Sequence, residues 1–188
     1  MKGSELKGIV FSQFLEMVDE NFGHDVTEHI IAASDLPSGG AYTSVGTYDH
    51  EEIISLVGNL SHISGVKVQE LVISFGHYLI KNFQIIFPKY FVEIDNALEL
   101  LENVNDYIHV EVRKLYQDAQ LPKISTQRTL DDGLILTYKS KRGMGDLAQG
   151  MIEGVIDIYG SKYTCDRIDL EKEGDLQCIQ FNIVKKQQ

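Results

Sequence analysis

Cysteine is scarce in this 188-residue chain, with Cys165 and Cys178 the only two. They form no Cys-x-x-Cys pair and no histidine-rich spacing surrounds them, so a structural zinc site is not expected and reduced thiols are. Long apolar runs are missing as well. Nothing approaches the roughly 18 uninterrupted apolar residues that span a bilayer. The opening Met1 to Gly8 also lacks the apolar stretch of a signal peptide, which makes a cytoplasmic location the expectation. Positive charge is in deficit, 17 Lys and Arg against 28 Asp and Glu, for a formal net charge of −11. Such a chain offers no broad basic face to nucleic-acid phosphates or anionic lipid. There is no internal repeat, low-complexity tract or linker. One domain over 1–188 is therefore expected, with a helical part at about 1–65 and a sheet-bearing part at about 66–188.

What is present has two textures. In the first two thirds, apolar residues recur at helical spacing. Ile9, Phe11, Phe14, Leu15 and Val18 form one stripe, closed by Gly23, and a short helix over His24 to Ala33 follows. The run Ser34 to Gly40 reads as a loop. Tyr48 to Ile63 reads as a third helix, and Val68, Leu71, Val72, Phe75, Leu79 and Ile80 mark a fourth. After Pro88, one long amphipathic helix is expected from about Val92 to Tyr116, carrying Leu98, Leu101, Val104, Ile108, Val112 and Leu115.

Beyond Pro122 the period changes to two. Leu134, Leu136, Tyr138, Ser140 and Arg142 alternate with Ile135, Thr137, Lys139 and Lys141, and the Asp131-Asp132-Gly133 turn pairs this strand with Ile124 to Thr129. A helix over Gly145 to Tyr159 and two strands, Lys162 to Leu170 and Gln177 to Val184, complete the chain. Helices followed by strand–strand–helix–strand–strand predict an α+β fold with a four-stranded antiparallel sheet.

Two elements carry chemistry. His109 lies inside the long helix with Val112 and Tyr116 three and seven residues on, among apolar neighbours. Such a histidine is either a core-edge imidazole bonded to a carbonyl or an axial ligand to haem iron, and alone it does not decide. Tyr138, Ser140 and Arg142 share one strand face. A phenol, a hydroxyl and a guanidinium together suit an anionic group, because Arg grips a carboxylate bidentately while hydroxyls fill its other lone pairs. The alternative is a solvated strand face with an incidental arginine.

Taken in order, these pieces resemble the haem-nitric oxide/oxygen binding (H-NOX) family, of bacterial stand-alone type and related to the sensor domain of soluble guanylate cyclase. The resemblance runs from Lys7-Gly8-Ile9-Val10-Phe11 through Ser74-Phe75-Gly76-His77-Tyr78-Leu79 and Ile108-His109-Val110-Glu111-Val112. It continues with Lys114-Leu115-Tyr116, Leu121-Pro122 and Tyr138-x-Ser140-x-Arg142. It implies haem b between a helical subdomain and the sheet, with His109 as proximal ligand and Tyr138, Ser140 and Arg142 on the propionates. It also implies that Pro122 presses on and distorts the macrocycle.

In oxygen-binding relatives a tyrosine nine residues beyond the motif's tyrosine donates to bound oxygen. Leu147 stands there, and the supporting polar positions match Phe14 and Leu79. With Val10 these form an apolar distal pocket, and Tyr78 and Tyr159 are the nearby hydroxyls. The resemblance thus implies a sensor of nitric oxide and carbon monoxide without a stable oxygen complex. No effector segment follows the last strand before Lys185-Lys186-Gln187-Gln188, so a separate histidine kinase or cyclic-di-GMP enzyme is the expected partner. The rival readings are an oxygen sensor of the same fold and an interaction module that holds no cofactor or a lipophilic molecule. An enzyme is not expected: His24, His29, His50, His62 and His77 form no HExxH, paired zinc spacing or nucleophile context.

Overall fold

The computed structural model describes residues 5–187. The short segment ahead of Lys7 thus lies partly outside the described residues, as does Gln188. The chain divides into two compact units, Met1–Phe75 and Gly76–Gln188.

The first unit is built from helices α1 (Gly8–Phe22), α2 (His24–Ala33) and α3 (His50–Ser64), with two short paired strands, β1 (Glu5–Lys7) and β2 (Thr47–Asp49). The third helix begins two residues later than the apolar pattern suggested. Tyr48 is committed to β2, and the Asp49 side chain caps the helix by accepting from the Glu51 N–H at 3.1 Å. Of the helical stripe of α1, Phe11, Phe14 and Val18 have zero exposure, while Ile9 and Leu15 are half-buried. Glu52 is buried on α3, and its carboxylate is satisfied by the Ser38 and Tyr42 hydroxyls from the preceding loop. That pairing ties the loop to the helix.

The unit boundary falls within α4 (Val68–Ile86), whose Leu79 and Ile80 are buried in the second unit. Here the expected long helix from Val92 to Tyr116 is corrected. A 3₁₀ turn at Pro88–Tyr90 precedes α5 (Ala97–Asn103), which is followed by a π-helical segment at Val104–Ile108 and then α6 (His109–Leu115). Asn96 caps α5 by accepting from the Glu99 N–H at 3.0 Å. The apolar face is continuous in sequence but not in space: Leu98 and Leu101 are buried, while Leu115 is 60% exposed.

The sheet has strand order β3-β4-β6-β5, all antiparallel: β3 (Lys123–Arg128), β4 (Leu134–Ser140), β5 (Tyr163–Asp169) and β6 (Gln177–Lys185). The β3–β4 turn closes with the Thr129 N–H donating to the Gly133 carbonyl at 3.0 Å. Helix α7 (Gly145–Ile158) connects β4 to β5. The core of this unit joins Leu98 and Leu101 of α5 to Leu134, Leu136 and Tyr138 of β4, Ile152 and Val155 of α7, and Ile179, Phe181 and Ile183 of β6. Helices α4 and α7 meet backbone to backbone. A Cβ on Gly76 would lie 2.6 Å from the Leu147 carbonyl oxygen and 2.7 Å from the Met151 nitrogen. Among the described residues, no helix is long and apolar enough to cross a membrane.

Candidate functional site

Strand β4 supplies the first group of residues. Its alternation is complete, with Leu134, Leu136, Tyr138 and Ser140 buried and the residues between them half-exposed. Tyr138 sits between Ile124 of β3 and Ile179 of β6, and Ser140 pairs with Gln177. The strand stops at Ser140, so Arg142 does not continue the alternation as the sequence pattern implied. It lies in the bend that follows, half-buried, with its backbone N–H donating to Ser140 Oγ at 3.2 Å. Gly143, at φ +65°, then turns the chain toward α7.

The three side chains are electrostatically joined. Burial pushes the Tyr138 phenol up, and a hydrogen bond with Ser140 and the charge of Arg142 oppose that rise. Burial likewise works against the Arg142 guanidinium, with Tyr138 acting the other way.

His109 comes from the opposite direction, at the junction of the π segment with α6. Its backbone N–H donates to the Val104 carbonyl, five residues back instead of four. The ring is half-buried. Its Nδ1 is fully buried and has no hydrogen-bond partner among the described residues. Burial first, and then the charges of Arg113 and Arg142, push the imidazole down to about 4. At neutral pH the ring is therefore uncharged, with a lone pair available for coordination. Arg142 is the common member: its charge acts on His109 and on Tyr138 alike. The fold thus brings together His109, Tyr138, Ser140 and Arg142 from elements that are distant in sequence.

Pro122 is half-buried and immediately precedes β3. Leu79 on α4 and Leu147 on α7 are both buried in the second unit, while on α1 Phe14 is buried and Val10 half-buried. Phe14 meets Phe75 edge-on at 5.2 Å. Two hydroxyls of the second unit, those of Tyr90 and Tyr159, are buried without a partner among the described residues. Tyr90 packs edge-on against Tyr107 of the π segment at 6.0 Å.

Sequence reasoning missed two features here. Arg113 could have been found by counting one helical turn from His109. The π segment has no such signal, because apolar residues at Val104, Ile108 and Val112 keep an ordinary α period.

The residues fit haem chemically. A neutral, half-buried imidazole is a donor to iron, and a phenol, a hydroxyl and a cation suit carboxylates. Comparison with known proteins agrees. The family model for haem-NO-binding proteins matches residues 7–167. A crystal structure of a ferrous, unliganded H-NOX protein from K. algicida is 30% identical, covers 97% of this chain and 98% of its own, and superposes with a TM-score of 0.86. An H-NOX protein from S. oneidensis, in its ferrous nitric oxide state, shares the fold at 23% identity and a TM-score of 0.85, covering 97% of this chain and all of its own. Soluble guanylate cyclase gcy-35 of Caenorhabditis elegans is 22% identical over 154 residues, 79% of this chain, which corresponds to only 22% of that relative's length. By the match over most of its length, the chain belongs to the haem-NO-binding (H-NOX) family of haem-binding gas-sensor domains.

Proposed function

We propose that this protein senses nitric oxide, and also takes carbon monoxide, at a ferrous haem b held by His109, and that it forms no stable complex with oxygen. The observation that carries the reading is a neutral His109 with a buried, unpartnered Nδ1 and a buried Tyr138–Ser140 pair, both under the charge of Arg142. Bound haem would supply a ferrous iron that takes a diatomic gas. His109 would hold the iron, Tyr138, Ser140 and Arg142 would bind the propionates, and Pro122 would press against the macrocycle.

Gas selectivity follows from what the side chains cannot donate. Bound oxygen needs a hydrogen bond that nitric oxide and carbon monoxide need much less. Val10, Phe14, Leu79 and Leu147, assigned to the distal pocket, have only carbon side chains. An oxygen-binding reading would draw on the unpartnered Tyr159 hydroxyl. Tyr159 lies twelve residues beyond Leu147, about 18 Å along the helix axis, and carboxylates Glu99 and Asp95 act on it. It belongs to the other end of α7.

The transduction path would start at His109, the first residue of α6. Were its imidazole released, α6 would be freed from the site, and the adjoining π segment is where the helix could change register. Differential affinity for the two arrangements is all that such a switch requires. We place the protein in the cytoplasm as a non-catalytic module that signals to a separate effector, a histidine kinase or a cyclic-di-GMP enzyme, without nucleic acid or membrane.

Absorption spectra of the purified ferrous protein, alone and with carbon monoxide, nitric oxide and air, test this. A Soret band that shifts with the first two gases and shows no stable oxygenated form in air is expected. A colourless protein that also fails to take up added hemin would falsify the haem reading, and a stable oxygenated spectrum would overturn the gas selectivity alone.

A further inference from the structure

We propose that Arg113 tunes the strength with which His109 donates to iron, keeping that bond weak so that it is readily released. The inference rests on His109 being the axial ligand. Haem-ligating histidines usually pass their second ring N–H to a carboxylate or carbonyl, which raises their basicity and strengthens the metal bond. His109 lacks this support. Its Nδ1 is buried without an acceptor, and no hydrogen bond to the ring is present among the described residues. The arginines to consider beside it are Arg113, on its own helix, and Arg142, in the bend after β4.

Arg142 already has a reason to be there, as part of the Tyr138–Ser140 group. Arg113 has none. It is exposed, in the last turn of α6, four residues after His109, which places the two on the same helical face at neighbouring positions. The nearby carboxylates are engaged elsewhere. Glu111 is bonded to Lys114 at 2.5 Å, and Asp106 accepts from Asn105 at 2.7 Å.

A ring that gives its lone pair to iron takes on positive character, more so when the iron is oxidised. A guanidinium one turn away opposes both. At a separation of about 7 Å and an effective dielectric of about 50, one unit charge changes such an equilibrium by up to about fivefold. Removing the charge should therefore raise the oxidised-to-reduced ratio at a fixed potential by up to about fivefold. Reversing it should raise that ratio by up to about 25-fold.

The test is a charge series in the haem-loaded full chain: Arg113→Lys, Arg113→Gln and Arg113→Glu. It is read by the iron–histidine stretching frequency in resonance Raman and by the reduction potential. The lysine variant should match the parent, while the glutamine and then the glutamate variant should show a rising frequency and a falling potential. Equal frequencies across the series, with ratios within twofold, would overturn the proposal. If the glutamate variant does not fold, the lysine and glutamine pair decides. His109→Gly is run alongside. If it retains the parent's stretching band, His109 is not the ligand and the reading beneath falls too; if it loses the band while the Arg113 series stays flat, only this inference falls.

Discussion

Deleting Asp106 tests whether the π segment is the element that moves. In Val104–Ile108 the hydrogen bond from the His109 N–H reaches back five residues to Val104. Geometrically this is an α-helix carrying one extra residue. Removing one exposed residue from it should restore the ordinary four-residue ladder while leaving α5 and α6 in their present orientations. Asp106 is exposed, and its side chain accepts a surface hydrogen bond from Asn105. The intact chain has another route to a regular helix. If its π segment relaxes without losing a residue, α6 must turn against α5 by about 100° and slide by about 1.5 Å. The buried Leu98 and Leu101 anchor α5, so the movement falls on α6, which has no buried residue. The deletion variant has no extra residue to absorb and cannot make this step. The parent should change its amide hydrogen exchange across 104–115 on taking nitric oxide; the variant should keep the parent's ferrous spectrum but lose that change. Two results would refute the reasoning: a deletion variant whose spectrum resembles that of His109→Gly, or one whose exchange still responds like the parent's.

Two further outcomes follow from the charge states. The folded-state value of His109, about 4, lies below its ordinary 6.5, so between these pH values the unfolded chain takes up a proton that the folded chain does not. Stability of the haem-free protein should thus fall as pH drops from 6.5 toward 4 and level off below, by about 1–3 kcal/mol after allowance for the half-exposed ring. Denaturant titrations at stepped pH should show this loss, and a His109→Leu variant should lack that component; identical pH profiles would contradict the assignment. Cys165 is the second case. Burial, with Glu153 and Asp166 adding to it, pushes its thiol up to about 12. Alkylation at pH 8 should be about a thousandfold slower in the folded protein than after unfolding, as read by mass spectrometry, and equal rates would rule this out.

Much of this protein is legible in its amino-acid sequence. The change from helical to strand periodicity near Pro122 separated the helices from the sheet, because burial on one face imposes a period of 3.6 on a helix and of 2 on a strand. The turn at Asp131-Asp132-Gly133 set the β3–β4 pairing, and β4 buries the alternate residues that its pattern assigned. His109, Tyr138, Ser140 and Arg142 were legible as one group only through their ordered combination.

Three things needed the tertiary structure. The paired strands β1 and β2 are three residues each and separated by forty, too short for a periodic signal and dependent on the surrounding helices to meet. The break of the helix before His109 is a hydrogen-bonding choice. The apolar spacing over Val104, Ile108 and Val112 fits an unbroken α-helix, and the two patterns differ only in which carbonyl each N–H finds. Finally, the sequence grouped Arg142 with Tyr138 and Ser140 but could not show that its charge also reaches His109, 33 residues earlier in the chain. Residue type and period are local properties, which the sequence determined by itself. Which charge acts on which ring is set by distances between segments that only the folded chain brings together.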